Sequence, residues 1–366
     1  MLKALDIWLP AYLRQPRNSQ PATGERHLLL CICDHFEPFH HVGKKEALER
    51  VEAWREEFPK LTEPFHDSDG ANPKQTFFYP IEQYDPDVLE GISALCKASG
   101  CETEIHLHHH HDNAKNMLRT LALGKENLAR HHLLSRDKQG RTRYGFIHGN
   151  WALDNSHPLG LHCGVRNELQ VLKETGCYAD FTLPSAPKRT QTKIINSLYY
   201  AAATPHPKSH DRGTPVEAGK KPSGDLLLVQ GPLGLNWNKR KFGFLPGIEN
   251  GDLTGINPPT LDRLRIWMDL HIHVQGRPDW FFVKLHTHGG IPPNSTMFLG
   301  EKMQKFHRDL ARAAAENNRF HFHYVTAREL VNILHAAEDG HSGDPGQYRD
   351  YRYRSLIPRE TENGLL

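Results

Sequence analysis

What the sequence lacks narrows the reading first. No stretch approaches the ~20 consecutive apolar residues that a membrane-spanning helix requires. Neither sign of charge prevails: 45 Lys and Arg stand against 43 Asp and Glu, a formal net charge of +2. Bulk electrostatics therefore makes no case for nucleic acid or another polyanion. The six cysteines, at 31, 33, 96, 101, 163 and 177, form no CxxC pair. Cys31 and Cys33 sit in an apolar run and read as buried core thiols. There is no glycine-rich phosphate loop, no serine nucleophile elbow, no internal repeat and no low-complexity segment. The opening MLKALDIWLPAYLRQP is broken by Asp6 and Pro10, too short an apolar run for a secretory leader. Residues 1–20 read instead as an amphipathic segment that docks on the protein. Reduced cysteines without a leader point to a cytoplasmic home.

What is there in excess is histidine, at 26 residues, and the densest run is internal. Histidine is the commonest metal ligand and titrates near neutral pH. Around these clusters, strand-like and helix-like segments alternate. HLLLCIC at 27–33 is a short apolar run of the buried parallel-strand kind. QTFFY at 75–79, ETEIHLH at 102–108, RYGFIH at 143–148, YADFT at 178–182, DLLLVQ at 225–230, FFVKLH at 281–286 and 320–324 read as further strands. Helices are expected at 44–58, from Asp85-Pro86 to the Gly100 stop, and at 113–134, 165–175, 260–270 and 297–315. The capping box Thr326-Ala-Arg-Glu329 opens a last one. The order argues for one α/β domain over residues 21–337, a distorted barrel of about seven parallel strands. Residues 204–224, rich in Pro, Gly and Lys, read as a loop insertion or lid. Residues 338–366 read as a polar, loosely ordered tail.

Three of these strands end in ligand-type residues: Cys33-Asp34-His35-Phe36-Glu37, His106 through His111 to Asp112, and Leu285-His286-Thr287-His288. In barrels of this kind strand ends gather at one rim, where function resides. Strand alternation puts His106 and His108 on one face, and Lys284, His286 and His288 on another shared face. Imidazole and carboxylate suit zinc and similar divalent ions. A lone strand-end histidine is usually a polar cap, but five within six residues are hard to explain so. For Asp34 a helix cap competes with function, and for His286 a buried hydrogen-bonded role. His148 and Asp180, also at strand ends, are further site candidates.

The order of these motifs resembles the polysaccharide deacetylase superfamily, carbohydrate esterases on a distorted barrel. Asp34 corresponds to the aspartate ending that family's first strand. Glu104-Ile105-His106-Leu107-His108 is similar to its second motif, with His108 at the histidine. Leu285-His286 matches its late motif, and Gly164 to Pro184 its link to a fourth, ending near Asp180. The similarity spans roughly residues 27–337. The chain departs from the pattern at His35, where the family has a second aspartate, and at Asp112, where it has a histidine. No Arg-Pro motif is found, and Phe146 to Trp151 stands in its place.

The resemblance implies a divalent metal, zinc above all, held among His35, His106, His108 and Asp112. It implies Asp34 as general base and His286 as the acid that protonates the leaving group. His148, Asn150, Trp151 and Asp180 would then contact a carbohydrate, with Trp151 and Trp237 able to stack on sugar rings or to pack in the core. The implied activity removes an acyl group, N-acetyl in the first place. An amidohydrolase-like C–N hydrolase and a non-catalytic sugar- or metal-binding barrel are the alternatives. An HxH pair on a third strand rather than a first disfavours the former.

Overall fold

The computed structural model describes residues 4–15 and 24–357. The remaining parts of the expected N-terminal segment and polar tail lie outside the described residues. In chain order the elements are α1 (Leu5–Arg14), β1 (Arg26–His35), α2 (Lys44–Thr62), β2 (Thr76–Pro80), α3 (Pro86–Ser99), β3 (Glu102–Leu107), α4 (Ala114–Arg130), β4 (Ser135–Asp137) and β5 (Thr142–His148). Then come α5 (Glu168–Thr175), β6 (Cys177–Asp180), β7 (Leu198–Ala201), β8 (Gly213–Pro215), β9 (Leu226–Val229), β10 (Gly234–Lys241), β11 (Leu245–Glu249) and α6 (Leu261–Asp269). The chain continues through β12 (Trp280–Thr287), α7 (Pro292–Phe298), α8 (Glu301–Ala315), β13 (Phe320–Tyr324), α9 (Ala327–Glu338) and β14 (Tyr353–Ser355).

The chain is a mixed α/β protein around a twelve-stranded, mostly parallel sheet. Parallel pairings join β12 to β1, β1 to both β13 and β2, and then β2, β3, β5, β6 and β9 in turn. The expectation of about seven strands is too low. Short strands extend the sheet antiparallel: β7 and β8 beyond β9, and β4 and β14 beside β5. The pairing path is open, running from β12 to β8.

Local chemistry accounts for the element ends. The Asp85 carboxylate accepts from the Asp87 and Val88 amides with Pro86 at the first turn, and Gly100 closes that helix at φ 70°. The Thr326–Glu329 capping box is complete on both sides. Strand alternation then decides which face each side chain takes. Leu28, Leu30 and Ile32 of β1 join a core that includes Val51 and Trp54 of α2, Ile92 of α3 and Phe306 of α8. Leu29, Cys31 and Cys33 join a second core with Phe78, Ile147 and Phe282 from other strands and Leu330 and Leu334 of α9.

Two expected loose segments are in fact tied down. Within 204–224, β8 pairs with β7, and Val216 N donates to Leu198 O. Past α9, β14 pairs with β4, and Arg349 bridges Asp67, Asp69 and Glu329. That segment is polar because it docks through ion pairs to Asp67, Asp69 and Glu329, a composition that resembles an unstructured tail. The first helix packs its buried Trp8 against Ala186, Ile195 and Leu233.

Candidate metal centre and cleft

The odd-numbered residues of β1 set the geometry. Cys33 and His35 share a face, and one step further along the chain Glu37 turns to the same side. His35 therefore meets His106 of β3, with ring centroids 5.0 Å apart, and His288 beyond β12, at 4.6 Å. Glu37 Oε1 lies 3.4 Å from His106 Nε2 and 3.7 Å from His108 Nε2. The other nitrogen of each ring is already occupied. His106 Nδ1 is 2.8 Å from the Ile147 carbonyl, and His108 Nδ1 is 2.7 Å from Glu82 Oε1. Each ring thus commits its Nδ1 as donor and turns its Nε2 toward Glu37. His106 Nε2 is buried and has no hydrogen-bond partner. An orphaned buried lone pair beside a carboxylate and two further imidazoles fits a divalent cation. His35, Glu37 and His106 would hold it, with His108 at the edge.

Electrostatics agree with that donor set. Burial opposes the Glu37 charge, yet the His106 and His108 rings hold its carboxyl down to about 2. Burial, with His288 and His106 as neighbours, pushes His35 well below the usual imidazole range, leaving it a neutral ligand.

Beside this cluster opens a cleft of about 160 Å³ lined by Trp151, Ser185, Lys188, Asp252, His286 and His288. Lys188 Nζ sits 3.9 Å over the Trp151 ring. His286 Nε2 faces Asp252 Oδ1 at 3.9 Å. Burial, and after it Lys284, drives His286 well below its ordinary range, and burial drives His288 to about 4. A larger hollow lined by Lys125, Arg143 and Thr175 (about 780 Å³) has no histidine in its lining.

The expected site residues divide. His35, His106, His108, Trp151 and His286 converge at the cluster and cleft. Asp34 does not, since as the even neighbour of His35 it faces the helices. Its carboxylate is fully buried, accepting from Gly289 N at 2.6 Å and Gln75 Nε2 at 3.0 Å. Burial raises it to about 7. A Cβ on Gly289 would come within 2.1 Å of its Oδ2, so only glycine lets the loop close on it. Asp34 thus anchors the loop bearing His288 and does not face the cluster.

Asp112 also turns elsewhere, because the chain leaves strand geometry after Leu107 and passes through His111 at φ 49° before α4 begins. The helical i, i+4 relation to His108 is never formed, and Asp112 Oδ2 meets His109 Nδ1 at 3.0 Å instead. Asp180 is buried with its carboxylate taken by Thr182, and burial raises it to about 7. It does not reach the cleft. Asn150 is exposed at φ 57° and lines no part of it. Trp237, on β10, is half exposed and away from the cleft lining.

His148 belongs to a separate group. Its Nε2 lies 2.8 Å from His109 Nε2, and Glu168 Oε1 is 3.2 Å from His109 and 3.4 Å from His148. Cys163 Sγ approaches Glu168 Oε2 at 3.4 Å. His109 stands within the histidine run, but sequence reasoning missed Cys163 and Glu168, because only the fold brings the stretch leading into α5 against that run. Glu37 had a usable signal: extending the alternation of β1 past His35 puts it on the histidine face.

No protein-family model matches this chain, and no curated protein sequence matches it either. No helix among the described residues is long and apolar enough to cross a membrane.

Proposed function

We propose that the chain is a metal-dependent hydrolase that removes acyl groups, N-acetyl foremost, from a carbohydrate, on a distorted barrel of the polysaccharide deacetylase kind. One observation carries the reading: His106 Nε2, His108 Nε2 and Glu37 Oε1 converge with His35 at the mouth of a cleft that holds a second pair of histidines. A divalent ion bound there, most simply zinc, supplies Lewis acidity toward a carbonyl oxygen and a water of lowered pKa. The chain's own residues do the remainder. Glu37 supplies the negative charge that a dication needs among neutral imidazoles. His286, neutral and facing Asp252 across the cleft wall, takes a proton from the attacking water and delivers it to the departing amine or alcohol. Trp151, with Lys188 across its face, offers a ring on which a sugar stacks and a cation for its hydroxyl or carboxylate groups.

The test is acetate release from N-acetylhexosamine oligomers by zinc-loaded protein, compared with Glu37→Gln and His106→Ala. Turnover confined to the unsubstituted protein supports the reading. Full turnover in both variants, or tight zinc binding with no hydrolysis of any acetylated sugar or acetyl ester, removes it.

A further inference from the structure

The group around His109 lies outside the proposed reaction, and its chemistry is different. His148 Nδ1 is 2.5 Å from the Gly149 carbonyl, an atom that can only accept. His109 Nδ1 is 3.0 Å from Asp112 Oδ2, whose partner oxygen receives the Asn113 amide and the Asn116 side chain. Both Nδ1 atoms are thereby committed as donors, which leaves the two Nε2 atoms as the ring positions open to a metal ion. The two Nε2 atoms lie 2.8 Å apart, a distance that only a shared hydrogen or a cation between them allows, with Glu168 Oε1 3.2 Å from His109. The other Glu168 oxygen is held by the Asp154 amide at 2.5 Å, leaving Oε1 free for the shared space. Three ligand-type atoms meet there, nearly out of contact with water. Cys163 Sγ completes a set of four donor atoms that all lie within 4.8 Å of one another.

We propose that His109, His148, Cys163 and Glu168 form a second metal site, a closed four-ligand site for zinc. Two imidazoles, a thiolate and a carboxylate are a zinc-type donor set, and four protein ligands leave no open position for water, as in structural sites. The Asp112–His109 pair is the carboxylate behind a ligating histidine that fixes its tautomer and orientation. The role is mechanical. The ion joins the histidine loop after β3 to the end of β5 and the start of α5, where the Asp112 amide already donates to the Cys163 carbonyl at 2.9 Å. His109 follows His108 directly, so a filled closed site holds the loop that presents His108 to Glu37. The proposal does not depend on the hydrolytic reading.

The sulfur makes the two sites distinguishable. The full chain, stripped with a chelator and shown by circular dichroism to remain folded, is titrated with cobalt(II). One equivalent is expected to give the near-ultraviolet sulfur-to-cobalt charge-transfer band and the visible bands of tetrahedral cobalt. Cys163→Ser should abolish the charge-transfer band. The double variant Glu37→Gln/His106→Ala, altered only at the sulfur-free cluster, should keep it. Asp112→Ala should retain the band but weaken cobalt affinity about 10–100-fold, the usual cost of losing the carboxylate behind a ligand. Folded protein with no sulfur band, a band that survives Cys163→Ser, or unaltered affinity in Asp112→Ala would each overturn the proposal. Loss of cobalt in the double variant with the sulfur band intact would bear on the sulfur-free cluster alone.

Discussion

Glu37 Oε1 stands 3.4 Å from the unpartnered Nε2 of His106, across two strand ends separated by 69 positions in the chain. The orientation is imposed from behind, because the Ile147 carbonyl takes the other ring nitrogen. Carboxylate and lone pair therefore face each other with only a cation, metal or proton, able to reconcile them.

Metal binding is expected to stabilise the protein through this contact. An ion that binds only the folded state adds about 2.7 kcal/mol at a hundredfold excess over Kd. Calorimetry of chelator-treated protein with and without zinc should show a higher Tm with the ion. Glu37→Gln should lose part of that gain, and an identical increment in the variant would separate Glu37 from the metal.

Gly149 is the position where backbone space decides the site. A Cβ there would lie 2.4 Å from His108 Cδ2 and 2.8 Å from the Leu107 carbonyl. The carbonyl cannot retreat without disturbing β3, so Gly149→Ala should cost about 1–3 kcal/mol by overpacking and tilt His108 away from Glu37. Urea unfolding together with elemental analysis would show reduced stability and reduced metal content. Unchanged values in both would mean the loop adapts freely.

His286 and Asp34 should behave differently. His286→Ala removes a proton-moving group at the cleft, worth roughly 10²–10⁴-fold in rate, with metal content retained. Asp34→Asn keeps an acceptor for Gly289 N, and Gln75 has an unpartnered buried Oε1 that can receive the new amide. Its rate should fall less than about tenfold. Equal losses in the two variants would return Asp34 to the chemistry.

His307 should make stability depend on pH. It is buried with Nδ1 2.7 Å from the Tyr324 hydroxyl, and burial lowers its pKa to about 3. Between about pH 6.5 and 3 the unfolded chain binds a proton there that the native protein refuses. Stability from this group is full above pH 6.5 and declines as pH falls, by about 2 kcal/mol at pH 5. His307→Gln cannot titrate, so its stability difference from the unsubstituted protein should shift in the variant's favour by that amount from pH 7.5 to pH 5. Parallel stability curves would contradict this.

Arg328 should be the strongest single fastening of the C-terminal segment. Its guanidinium is fully buried, pairs with Glu102 at 2.6 Å and with Asp350 at 2.6 Å, and donates to the Tyr353 carbonyl at 2.7 Å. Arg328→Ala strands a buried Glu102 and should destabilise by about 3–5 kcal/mol. Limited proteolysis should then cut first within 339–357. A cost under about 1 kcal/mol would show the pair to be dispensable.

The alternating elements, the helix caps at Asp85 and Thr326, and the three ligand-bearing strand ends were all legible in the sequence. Each depends on periodicity or on neighbours within a few residues, where apolar runs and turn chemistry act directly. The crowding of histidine after β3 was legible for the same reason, as composition. Which histidine serves which partner was not. That choice depends on where a chain goes after its strand ends: at His111 a positive φ swings Asp112 away from His108 and onto His109. It also depends on contacts made across the sheet, between Glu37 and His106, or between His109, His148 and Glu168. One residue of register moves a side chain to the opposite face, which is why Asp34 anchors a loop against the helices while His35 enters the site. The sequence determined by itself the main alternating strands and helices and that ligand-type residues crowd their ends. Only the packing of β1, β3, β5 and β12 side by side decided which lone pairs meet.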